Sequence, residues 1–108
     1  MFGNLGGMIN KFQEIQQKIQ NLKSEMENSF FSGSAENGLV QITLNGKLDP
    51  VEVKIDPVLQ ETIDNQKLND LVLAAIKEAT DKVKNEYKRR INELTGGVPL
   101  PPGVGLPF

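Results

Sequence analysis

Apolar positions along the chain follow three successive rhythms, and each rhythm predicts an element. Over residues 8–26 the side chains Met8, Phe12, Ile15, Ile19, Leu22 and Met26 recur at spacings of four and three. That is the a/d period of a coiled-coil seam, and the Gln, Lys, Glu and Asn between them make the opposite face polar. The pattern predicts one long amphipathic helix, about 30 Å from end to end at ~1.5 Å per residue. A helix that lies on its own sheet usually carries a wider apolar stripe, so a seam this narrow points to a partner helix.

The rhythm then shortens to two. Phe30 and Phe31, followed by Gly33 and small polar residues, fit a first short strand within Ser29–Ser34 and a loop after it. Gly38–Leu44 alternates apolar and polar positions and runs into Asn45-Gly46, the strongest short hairpin signal. A two-residue turn there pairs Leu44 with Lys47, Ile42 with Asp49 and Val40 with Val51. Val40, Ile42, Leu44, Val51, Val53 and Ile55 then share one face, with Gln41, Thr43, Glu52 and Lys54 on the other. On this reading an aspartate in place of Ile42 or Val53 puts an unpaired charge on the core face and prevents folding. Pro50 has no N–H for the ladder, so its position belongs at an edge or a bulge.

From residue 56 the period lengthens again. Asp56-Pro57 combines an N-cap residue with proline at the first helical position, and Val58, Leu59 and Ile63 fill a short helical turn. A long helix follows, capped near Asn65. Its apolar face holds Leu68, Leu71, Val72, Ala75, Ile76, Ala79 and Val83, and Tyr87, Ile91 and Leu94 continue it. Gly96-Gly97 closes the helix. The remaining Pro/Gly-rich residues cannot be helical and predict a flexible or extended tail over 96–108. The fold class expected is α+β: long helix, three-stranded antiparallel sheet with an N-G hairpin, short helix, long helix, tail. Residues 1–95 form one domain.

Composition narrows the chemistry. A chain of 108 residues carries one core, and 38% apolar with 24% charged residues excludes wholesale disorder. With 6% aromatic residues and no Trp, the core is small and is expected to be completed by oligomerisation. There is no Cys and no His, which removes disulfides, thiolate nucleophiles and the commonest metal ligand and acid–base group. Asp49 and Asp56 sit beside prolines in turns. Gly3, Gly6 and Gly7 follow no strand and lead to no phosphate-loop Lys-Ser/Thr. Ser29, Ser32 and Ser34 have no base to activate them. No catalytic site, metal, cofactor or small-molecule substrate is expected. Apolar runs are too short to span a membrane, and the N-terminus lacks a signal-peptide pattern, so the cytoplasm is the expected compartment.

Net charge is −2, but it is unevenly spread. Residues 1–28 balance Lys11, Lys18 and Lys23 against Glu14, Glu25 and Glu27, and the middle of the chain is acidic. Residues 77–90 carry six bases: Lys77, Lys82, Lys84, Lys88, Arg89 and Arg90, against Glu78, Asp81 and Glu86. Such a run commonly makes a solvated helix face, and it also suits contacts to a phosphate backbone.

Several stretches carry a family resemblance. Gly38–Gly46 followed by Val51-Glu52-Val53-Lys54-Ile55-Asp56-Pro57 resembles the G-x-V-x-V strand, N-G turn and V-x-I-D-P strand end of the YbaB/EbfC family. Leu68–Ile76 is similar to its E/D-L-V-x-A-A helix, and Leu100–Phe108 to its L-P-P-G-x-x-x-P-F ending. The resemblance covers almost the whole chain in order and implies a tweezer-like homodimer with projecting helices. It also implies double-stranded DNA as partner, a place in the bacterial nucleoid, and effects on nucleoid organisation and gene expression. Basic residues on projecting helices then become the expected DNA contacts: Lys82, Lys84, Lys88, Arg89 and Arg90, helped by Lys11, Lys18 and Lys23. On that view the apolar hairpin face and the helical seams are buried between subunits. The helix–hairpin–helix order also resembles prefoldin, which implies a coiled-coil scaffold or holdase without DNA binding, though prefoldin helices are longer and lack the D-P and L-P-P-G motifs. A third option is an indirect role, through a protein partner docking on the tail.

Overall fold

The computed structural model describes the backbone of residues 2–97 and the side chains of residues 7–97. The tail expected beyond Gly97 lies outside the described residues. The element order is α1 (Phe2–Glu27), β1 (Phe30–Ala35), β2 (Val40–Asn45), β3 (Pro50–Ile55), α2 (Pro57–Thr62) and α3 (Asn65–Thr95). The strands form one antiparallel sheet in the order β1-β2-β3. The fold class is the one the apolar rhythms predict, α+β with a long helix at either end of the sheet.

Asp56 caps α2 by accepting a hydrogen bond from the Val58 amide, with Pro57 in the first turn. The cap of α3 is Asp64, one residue before the expected Asn65, and its carboxylate accepts from the Lys67 amide at 2.8 Å. Gly96 ends α3 in the left-handed conformation, and the Gly97 N–H closes onto the Asn92 carbonyl.

The β2–β3 hairpin exists, but not in the expected register. Val40 pairs with Ile55 and Ile42 with Val53, four residues along from the pairing that a two-residue turn dictates, and past an irregularity at Thr43/Leu44 the shift is three, with Leu44 opposite Pro50. The loop is longer because Asn45 folds over it, its side-chain oxygen accepting from the Lys47 and Asp49 amides. Leu48, not Gly46, carries the positive φ of 68°. A shift by an even number of residues keeps faces, so Val53 and Ile55 remain on the side of Val40 and Ile42. Pro50 falls where the ladder is irregular and needs no N–H.

Gly46 has a different reason to be glycine. Its N–H donates to the Met26 carbonyl at 2.9 Å, and a Cβ there would lie 2.1 Å from the same oxygen. The C-terminus of α1 is therefore pinned directly on the hairpin loop.

Among the described residues, two buried clusters hold the elements together. Val40, Ile42 and Leu44 pack with Leu59 of α2 and with Ala75 and Ala79 of α3. Further along α3, Val83, Tyr87 and Ile91 pack with Leu22 and Met26 of α1. The α1 seam thus meets a partner helix in its own chain over its C-terminal half, which corrects the expectation that the seams are buried between subunits. α3 lies over β1 and β2, leaving β3 at the edge. Val51 and Val53 are consequently 49% and 57% exposed, so Val53 is no core residue of the single chain, whereas Ile42 is 2% exposed.

Tyr87 is buried, and its phenol is pushed above its ordinary pKa, first by burial and then by the charge of Glu27. The folded chain keeps that proton to higher pH than the unfolded chain. Stability present below the ordinary tyrosine range is therefore lost as pH rises through it. Tyr87→Phe is expected to flatten the fall of the urea midpoint above pH ~10, and an unchanged slope would contradict this.

Candidate functional site

The molecule measures 71 × 21 × 19 Å, because α1 and α3 leave the sheet together as an arm. α3 alone, with 31 residues, is about 46 Å long. The helices run in opposite directions along the arm: Arg90 of α3 forms an ion pair with Glu25 of α1, and Leu94 packs beyond it.

The arm does not present the basic residues of α3 as one patch. The helical period puts Lys77, Lys84 and Lys88, at spacings of seven and four, on one flank and Lys82 and Arg89 on the other. On the second flank carboxylates interleave with the bases. Arg89 reaches Glu86 and Glu93, each at 2.6 Å, and Lys82 lies 3.4 Å from Glu78 while donating to the Ser32 carbonyl. The hydrogen bond that Arg89 donates to Glu86, then the charges of Glu86 and Glu93, push its guanidinium further up from its ordinary value. Arg90 is a strut between the helices, its guanidinium held on Glu25. On the first flank Lys77 is paired with Asp81 at 2.9 Å, and Lys84 is half-buried and also engaged. Lys88 is exposed.

The lysines expected on α1 divide similarly. Lys11 and Lys18, seven residues apart, share an exposed face, while Lys23 is half-buried. Among the described residues, no hydrogen bond or ion pair engages the side chains of Lys11, Lys18 or Lys88. The i,i+4 spacing of Glu78–Lys82 and Arg89–Glu93 was a usable signal for pairing. Nothing local announces Arg90–Glu25, whose partners are 65 positions apart.

A second feature sits at the base of the arm. Ile42, Leu44, Leu48, Pro50, Val53 and Ile55 face Val72 and Ile76 across an apolar groove of about 330 Å³. Ile76 is exposed on its rim, and β3 presents an open ladder edge beside it. Among the described residues no cluster of carboxylates, Cys or His could hold a metal ion, and no helix is long and apolar enough to cross a membrane.

The sequence profile of the YbaB/EbfC DNA-binding family matches residues 1–98. The chain is 41% identical to a nucleoid-associated protein of Bartonella bacilliformis over 97% of both chains. It is 36% identical to one of Rhodospirillum rubrum over 97% of this chain and 98% of that one. It is 38% identical to one of Rhizobium meliloti over 94% and 95%. A crystal structure of an uncharacterized protein from Helicobacter pylori shares the fold at a TM-score of 0.69 and 20% identity, covering 89% of this chain and 98% of that one.

Proposed function

Because the chain belongs to the YbaB/EbfC DNA-binding family, we propose that it is a nucleoid-associated protein that grips double-stranded DNA as a homodimer, through phosphate contacts. Its place is the nucleoid, where it affects chromosome organisation and gene expression. The observation that carries this reading is the helical arm, whose exposed lysines Lys11, Lys18 and Lys88 are not neutralised by carboxylates among the described residues. A cation already paired within the chain releases little counterion from DNA, and an unpaired one releases its full share. The main contacts are therefore Lys11, Lys18 and Lys88, with Lys84 beside them. Lys82 and Arg89 contribute less, Lys23 is a marginal contact, and Arg90 serves the arm's integrity.

The homodimer is supported by the uncovered groove at β3. Open apolar surface next to an unpaired strand edge invites a second copy, and a two-fold axis there sets two arms against one duplex. Two weak grips on one ligand multiply through effective concentration.

Fluorescence anisotropy of a labelled duplex across a salt series tests the reading. Six contacts, three per subunit, predict a loss of about 10³ in affinity between ~50 and ~200 mM salt. Lys18→Ala with Lys88→Ala should make the slope of log K against log salt shallower by about 3 to 4. Lys82→Ala with Arg89→Ala should change it much less. A binding constant indifferent to salt would exclude phosphate-driven contact. Replacing Lys88, Arg89 and Arg90 together is the poorer test, since Arg90 also ties α1 to α3.

A further inference from the structure

The arm has an apolar stripe that the sheet and α3 do not reach. Met8, Ile9 and Phe12 are 68%, 58% and 40% exposed. The Arg90–Glu25 pair sets the register of the two helices, so Thr95, five residues further out on α3, lies level with about residue 20 of α1. Phe12 and Met8 therefore project roughly 12 and 18 Å past the end of α3.

We propose that this stripe is the docking surface for the chain's own C-terminal segment, residues 98–108. That segment, Val98-Pro99-Leu100-Pro101-Pro102-Gly103-Val104-Gly105-Leu106-Pro107-Phe108, contains no charged and no polar side chain. Solvated tails are built from charge and polar residues, and this composition is the opposite. Its four prolines lack amide donors and bias the backbone toward extended polyproline geometry. Laying it on an apolar surface therefore strands few N–H groups and costs little chain entropy.

Reach selects the surface. Gly96 and Gly97, both at positive φ, end the helix about 8 Å short of the level of Ile15 and about 12 Å short of Phe12. Eleven residues at ~3.1 Å each span about 34 Å, enough to cover the stripe from Ile15 to Met8 with residues to spare. The groove beside β3 is another open apolar surface. Its rim residue Ile76 lies nineteen residues back along α3 from Thr95, about 29 Å away, so the tail would have to be drawn almost straight to touch it. A second copy's α1 is a weaker occupant of the stripe, because among the described side chains the uncovered seam from Met8 to Ile15 is a single heptad and a coiled coil needs about three or four.

The absence of cysteine permits a direct test. A nitroxide is attached to the full-length chain carrying Gly105→Cys, and paramagnetic broadening of backbone amides is recorded without DNA. The expected result is loss of most of the signal intensity of residues 8–15, with residues 50–55 and 76 unaffected and full recovery on reduction of the nitroxide. A sample mixing spin-labelled unlabelled-nitrogen chains with nitrogen-15 chains carrying no nitroxide should show no broadening of residues 8–15. Broadening there means that the tail docks on a second copy, and overturns the proposal. Broadening centred on β3, or broadening limited to the tail, overturns it as well.

Discussion

Replacing Gly33 by alanine is expected to destabilise the fold by about 3 kcal/mol or more, while the same substitution at Gly7 leaves it unchanged or slightly more stable. At Gly33 a Cβ would lie 2.1 Å from the Ala75 carbonyl oxygen and 2.4 Å from the Ala79 amide nitrogen. Both atoms belong to helix backbone and cannot rotate away, so α3 must lift off β1. The lift also opens the contact of Ala75 and Ala79 with Ile42 and Leu44, emptying space that no side chain can fill. At Gly7 nothing lies within 4 Å of the added Cβ, and alanine is the better helix former by about 1 kcal/mol. Urea unfolding of the two variants beside the parent measures the contrast. Coincident midpoints would mean that α3 does not rest on β1 at this point. A loss of this size is a large share of the roughly 5–15 kcal/mol that holds a small domain folded.

Gly33 also marks the boundary between what the residues disclose locally and what they do not. Periodicity located α1, β2, β3 and α3, because a period of 3.5 or two is written into neighbouring positions, while β1 was legible from Phe30, Phe31 and Gly33 and α2 from its Asp56-Pro57 start. Caps and the closing glycines were legible for the same reason, to within one residue at Asp64. Glycine is ambiguous, since it serves either a special φ or a close approach. Gly46 sits in the most recognisable turn dipeptide of the chain yet is required by Met26, 20 positions away, while Leu48 takes the positive φ. The hairpin register went with that misassignment. Strand alternation likewise identified the inward face but could not say which strand α3 would leave bare, because that depends on where the helix crosses the sheet. In the arm, the basic run was visible in the sequence, and part of its neutralisation could have been read from i,i+4 spacing. The strut from Arg90 to Glu25 emerges only once two distant helices are set side by side.

Val53→Asp separates folding from assembly, and is expected to yield a folded subunit that no longer dimerises and binds DNA about 10² to 10⁴ times more weakly. In the single chain Val53 is 57% exposed, so an aspartate there keeps its water and costs the fold little. In a dimer closed over the groove, the same carboxylate would be enclosed by Ile42, Leu44, Ile55 and Val72, with its two-fold mate nearby and no cation among the lining residues. An unpaired charge buried in such surroundings costs several kcal/mol, more than a modest interface can offset. Without the partner, one arm meets the duplex alone and the gain from two tethered grips disappears. Ile42→Asp is the internal control: that side chain is 2% exposed, so the charge enters the core of the subunit and the far-ultraviolet dichroism of the fold should be lost. Sedimentation velocity, dichroism and anisotropy on the two variants give distinct patterns. A Val53→Asp protein that still sediments as a dimer would move the interface away from β3. One that sediments as a folded monomer yet binds DNA with undiminished affinity would remove assembly from the binding mechanism altogether.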